Sequence, residues 1–94
     1  MLMYYILFYD LVDNVIEARA PYREEHLSRA ADALKQGLLV MGGALADPPD
    51  KGVLVFRADD KAAVEEFARN DPYVINGVVT DWIVRQWMVV VPAD

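Results

Sequence analysis

Apolar residues recur along this chain at two different periods, and the change of period separates strands from helices. Residues 3–9 (MYYILFY) are rich in Tyr, Ile and Phe, which suits the pleated, buried surface of a first strand. A polar break from Asp10 to Asn14 follows, and then a helical pattern that runs to Gln36 with Pro21 inside it. Proline is accepted in the first turn of a helix and damaging further in, so Pro21 predicts a short helix followed by a longer one. In the longer helix Leu27, Ala30, Ala31 and Leu34 recur at i, i+3, i+4, i+7, the spacing of a buried face. Gly37 stands where a left-handed C-terminal cap belongs.

Residues 38–45 (LLVMGGAL) and 53–57 (VLVFR) predict two strands, joined by the turn-rich segment 47–52 (DPPDKG). Asp59 or Asp60 caps a second helix whose apolar stripe is Ala63, Val64, Phe67 and Ala68. That helix stops before Pro72, because the residue preceding a proline disfavours helical backbone angles. Residues 78–91 (VVTDWIVRQWMVVV) predict a last long strand or bent ribbon. The order is β-α-β-β-α-β, without repeats, low-complexity segments or linkers, and is read as a single domain over residues 1–94. Such an order predicts a ferredoxin-like α+β sandwich, an antiparallel sheet with both helices on one face.

A sheet covered on one face should alternate apolar and polar residues. These strands do not. Residues 4–8 and 53–56 are apolar at odd and even positions alike, and Trp82, Val84 and Met88 fall on one face while Ile83, Trp87 and Val89 fall on the other. Helices on one side leave the second face uncovered, which points to a two-fold homodimer through the sheet face. The plainer alternative is that these side chains stay partly exposed, as many apolar residues do.

Composition narrows the partners. With 9 basic against 15 acidic residues the net charge is −6, and no Lys/Arg run makes a local exception. That balance argues against nonspecific nucleic-acid binding and against an anionic membrane surface. There is no cysteine, hence no disulfide, thiolate nucleophile or sulfur metal ligand, which fits a reducing cytosol. Residues 1–9 lack a basic n-region and a cleavage site and are too short to span a bilayer. The expectation is a soluble, cytoplasmic protein.

Candidate chemistry centres on His26, the sole imidazole and so the natural group for proton transfer near neutral pH. It follows Arg23 by three positions and precedes Leu27, which places it at the edge of the apolar stripe, within reach of a cleft. A boundary histidine bonded to a backbone carbonyl would look the same. Asp71 continues the apolar face of the second helix, where a bare carboxylate is costly and an imidazole would compensate it. Asp followed by Pro is also an N-cap signature for a short helix over residues 72–76, and a cap carboxylate has a second oxygen to spare. Tyr73 can donate a phenolic hydrogen bond to a ligand or simply pack.

Arg19 and Arg23, a helical turn apart, could hold an anion, unless Pro21 spoils their register or Glu24 and Glu25 neutralise them. Gly42-Gly43 inside a strand marks a bulge or a close approach by ligand or backbone, without any phosphate-loop pattern around it. A single His with no Cys leaves no transition-metal spacing, so no metal is expected. Ser28 does not face His26, and the Glu24-Glu25 and Glu65-Glu66 doublets read as solvated helix faces.

Taken together, Arg23-x-x-His26-Leu27, Gly37-x-Leu39, Gly43, Asp71-Pro72-Tyr73-x-x-x-Gly77 and a closing aromatic at Trp87 resemble the YciI-like (YCII-related) family over nearly the whole chain. Glu24 and Ala44 stand where members of that family often carry proline, departures that bear on the shape of the cleft. The resemblance implies a ferredoxin-like fold that pairs into a dimeric α+β barrel, and a catalytic dyad of His26 and Asp71. The fold is shared with muconolactone isomerases and with a dehydrochlorinase of hydroxylated aromatics, so reaction type enters by analogy.

The resulting expectation is a small cofactor-free enzyme, a lyase or isomerase moving a proton on a small cyclic or hydroxylated organic acid. His26 is its base and acid, Asp71 orients the imidazole, and Arg23, Tyr73 and Gly43 are the candidate substrate contacts. The alternatives are a metabolite-binding or accessory module without catalysis, and a protein whose dimer interface is its whole function.

Overall fold

Residues 2–92 are described by a computed structural model in which β1 (Met3–Leu11), β2 (Leu39–Ala44), β3 (Lys51–Ala58) and β4 (Val79–Trp87) form one sheet. The strand order is β2-β3-β1-β4 and every neighbouring pair is antiparallel. Between β1 and β2 lie α1 (Val15–Arg19), a single 3-10 turn over Ala20–Tyr22 and α2 (Arg23–Lys35). Between β3 and β4 lie α3 (Lys61–Arg69) and the one-turn α4 (Pro72–Ile75). This is the ferredoxin-like α+β arrangement that the element order predicts.

Local signals act where expected. Pro21 sits inside the 3-10 turn and divides α1 from α2. Asp60 caps α3, its side chain accepting from the Ala63 amide at 3.1 Å. Gly37 ends the α2 connection with φ of 76°, a conformation that glycine enters without steric cost.

Period-two alternation assigns the two faces. Tyr5, Leu7 and Tyr9 of β1 are buried with Leu54 and Phe56 of β3, Val84 of β4, and Val64, Phe67 and Ala68 of α3, and this is the core. The intervening residues face away: Ile6 pairs with Val55 and Arg85, and Phe8 with Val53 and Ile83. That second face is open and largely apolar, with Arg57 and Arg85 also on it and with Ile83 55% and Trp87 46% exposed. An apolar open face accounts for strands that refuse to alternate.

The buried face of α2 differs from the one its apolar residues predict. Leu27, Ala31 and Leu34 are exposed, Ala33 is buried, and His26, Arg29 and Ala30 are half-buried beside it. Positions 26, 29, 30 and 33 repeat the same i, i+3, i+4, i+7 spacing one residue earlier, a rotation of about 100°. Polar contacts set that rotation. The Arg29 guanidinium lies 4.7 Å over the Phe67 ring and donates to the Phe67 carbonyl at 3.3 Å, while His26 bonds Asp71.

Three boundaries also shift. The irregularity in β2 falls between Leu39 and Met41 rather than at Gly42-Gly43. Strand β3 begins at Lys51, because Lys51 and Gly52 continue the ladder against Asp10 and Tyr9 and Lys51 pairs with the Asp10 carboxylate at 2.6 Å. Strand β4 ends at Trp87, and Met88, Val90 and Val91 are exposed beyond it. In the α3 stripe Ala63 is exposed while Val64, Phe67 and Ala68 are buried.

Candidate active site

Asp71 is the only buried charged residue among those described, with no exposed surface. A carboxylate in that position requires donors, and the fold brings it three. Its Oδ1 accepts the Tyr73 amide at 2.9 Å, the N-cap bond of α4 that Asp-Pro predicts. The Tyr9 hydroxyl donates to Oδ2 at 2.7 Å from the end of β1. His26 Nδ1 lies 2.9 Å from Oδ1 and 3.0 Å from Oδ2, reaching across from α2. Capping and histidine pairing are therefore both present, on one carboxylate.

The imidazole is gripped from a second direction. Its ring lies flat on Tyr73, with centroids 3.8 Å apart and planes 9° from parallel. An ionised Asp71 presents only acceptors, and beside it the proton belongs on Nδ1, which leaves the Nε2 lone pair outside this bond. Only 14% of the His26 side chain is exposed, so that nitrogen serves a confined space.

The space is a cavity of about 250 Å³ between α1, α2, α4 and the β2–β3 side of the sheet. Tyr9, Arg19, Arg23, His26 and Tyr73 are the polar residues in its wall, and the remainder is aliphatic or glycine. Among the described residues no acidic one lines it. Of the sequence candidates, Arg23 lines the cavity from an exposed position and Gly43 contributes backbone to its wall. Tyr73 supplies its ring to the imidazole, and its buried hydroxyl has no hydrogen-bond partner among the described residues.

Tyr9 is the member that sequence reasoning missed. The available signal was a tyrosine, rather than a phenylalanine, at a core-facing position of β1, since a buried phenol needs an acceptor. Gly52 makes the room for it: a Cβ there would stand 3.2 Å from the Tyr9 Cβ on the neighbouring strand. Burial, and then the charge of Asp71, push the Tyr9 phenol far above its ordinary value of 10.0, so it stays a donor.

A pH dependence follows with a definite sign. Above about pH 10 the unfolded chain releases this proton and the folded one retains it, so folding stability falls as pH rises. In Tyr9→Phe the alkaline loss should shrink, and near neutral pH the variant should be about 1–3 kcal/mol less stable because Asp71 loses a buried donor. Urea unfolding between neutral pH and about pH 11 measures both.

Comparison with known proteins agrees with this architecture. The sequence model of the YCII-related domain matches residues 3–88. An uncharacterized protein of Haemophilus influenzae is 32% identical over 92 residues, covering 88% of this chain and 94% of its own length. Among solved structures, 5-chloro-2-hydroxyhydroquinone dehydrochlorinase of Burkholderia phenoliruptrix, in complex with 2,5-dihydroxybenzoquinone, is similar with a TM-score of 0.79 at 18% identity. That match covers 98% of this chain and 100% of the other. An antibiotic biosynthesis monooxygenase is similar with a TM-score of 0.58 at 18% identity, covering 95% of this chain and 98% of the other. At these identities the solved structures establish the fold.

Proposed function

This chain belongs to the YCII-related domain family, and on that footing we propose that it is a small enzyme moving a proton on a small cyclic or hydroxylated organic acid. The observation that carries the proposal is His26 Nδ1 held at 2.9 Å from Asp71 in the wall of a cavity. Asp71 fixes the tautomer, and Nε2 accepts a proton from an acidic C–H of the bound acid. The imidazolium so formed stays hydrogen-bonded to the Asp71 carboxylate through Nδ1.

Return of the proton to a second carbon completes an isomerisation. Departure of a neighbouring leaving group with its electron pair, as the C–H pair forms a double bond, completes an elimination. In the isomerisation His26 returns the proton to carbon, and in the elimination it passes the proton to the departing group or to water, so neither route as written calls for a cofactor. The dehydrochlorinase with the same fold lends support to the elimination route by analogy. Arg23, Tyr73 and the Gly43 backbone orient the substrate.

The test is solvent exchange. Small cyclic and hydroxylated acids incubated with the protein in heavy water should gain deuterium at one acidic carbon, read by proton NMR. Because Asp71 also caps α4, a binding module in which the pair is purely structural is the competing reading. Acids that bind without exchanging would decide for it.

The proposal includes a two-fold homodimer through the open sheet face, built on Ile6, Phe8, Val53, Val55 and Ile83. Light scattering should give twice the 10.6 kDa chain mass, and Ile83→Asp, at an exposed site of that face, should give the monomer. A wild-type monomer at micromolar concentration would remove the dimer from the proposal. No helix among the described residues is long and apolar enough to cross a membrane. The cysteine-free chain suits a reducing cytoplasm, where we place it.

A further inference from the structure

We infer that the cavity beside His26 takes a single flat ring carrying an anionic head, the head held jointly by Arg19 and Arg23 and the ring lying along the Gly42-Gly43 backbone. The inference rests on the proton-transfer reading for its choice of cavity, and it names the class of molecule that enters.

Charge is the first ground. The whole chain carries −6, yet the ionisable wall of this cavity is two arginines, an imidazole and two phenols. Among the described residues neither Arg19 nor Arg23 takes part in an ion pair, so Glu24 and Glu25 do not neutralise them. Nor does Pro21 spoil their register. Arg19, Ala20, Tyr22 and Arg23 all keep right-handed helical angles through the 3-10 turn, and both arginines line the same cavity. Two guanidinium forks facing one space recognise a carboxylate or a phenolate.

Size and shape are the second ground. A dry cavity of about 150 Å³ accepts benzene, so the 250 Å³ here matches one ring with its substituents. Gly42 lies opposite Leu54 on the core-facing side of β2, and a methyl group there would stand 3.1 Å from Leu54 Cγ. The close Leu54 contact accounts for the glycine, and Gly42 and Gly43 together give the cavity a stretch of wall without side chains.

Titration calorimetry with benzoate, 2-hydroxybenzoate, benzamide and anthracene-9-carboxylate tests the assignment. Both monocyclic acids should bind, and benzamide, their neutral counterpart, should bind at least about tenfold more weakly. The three-ring acid should give no heat. In an Arg19→Gln/Arg23→Gln double variant the preference for benzoate over benzamide should disappear. Equal binding of benzoate and benzamide to the wild type, an undiminished preference in the double variant, or binding of the three-ring acid would each overturn it. The catalytic reading fails separately. If benzoate binds the wild type and His26→Ala alike while no acid exchanges its proton, proton transfer is lost and the anion site stands.

Discussion

Asp71→Ala is expected to cost about 3–5 kcal/mol of folding stability, a large fraction of the roughly 5–15 kcal/mol that holds a domain together. Three donors converge on that carboxylate, from β1, α2 and the first turn of α4. Truncation strands the Tyr9 hydroxyl in the core, at about 1–3 kcal/mol for a buried unsatisfied group, and removes an N-cap worth about 1 kcal/mol. It also removes the hydrogen bond that joins α4 to α2, leaving the His26–Tyr73 stack as their contact. Asp71→Asn keeps the shape and one acceptor oxygen, so its loss should be about half as large. Urea midpoints for the two variants measure the difference. An alanine variant within about 1 kcal/mol of wild type would show that packing alone holds these elements together.

The second large effect is kinetic. His26→Ala is expected to lower the rate of C–H exchange in a bound acid by about 10²–10⁴-fold, the usual contribution of a positioned base, while ligand affinity changes little. Asp71→Asn should produce a loss of similar order by a different route. An amide presents a donor to Nδ1 and turns the imidazole into the opposite tautomer, with the hydrogen on Nε2 and no lone pair toward the cavity. Nitrogen-15 NMR of the single imidazole reads this directly: hydrogen on Nδ1 in the wild type, on Nε2 in the variant. A wild-type ring already protonated only on Nε2 would falsify the arrangement.

Much of the architecture is legible along the chain because its signals are local. Pro21 splits the first helix, Asp60 and Asp71 cap their helices, and Gly37 takes its left-handed angle, each through contacts a few residues long. The failure of the strands to alternate likewise has a plain reading in an apolar second face. The face of α2 was not legible in the same way. Hydropathy ranks Leu27 and Leu34 above His26 and Arg29, yet the latter pair has partners on the core side and the leucines do not. Tyr9 was hidden for a related reason: its acceptor lies 62 positions away.

The candidate site divides along the same line. Residue type marked His26 as the candidate proton carrier and Asp-Pro marked Asp71 as a cap, and both are properties of short stretches. Whether the two side chains share a hydrogen bond depends on where α2 and α4 land on opposite ends of the sheet order, which no local pattern encodes. The chain's own periodicity, caps and turns thus settle which elements form and in what order, since those depend on neighbours within a turn or a strand. Folding in three dimensions decides the rotation of α2, the convergence of Tyr9 and His26 on one buried carboxylate, and the shape of the cavity. Those features arise from contacts between groups remote in sequence, where burial makes each unsatisfied polar atom costly enough to select one arrangement.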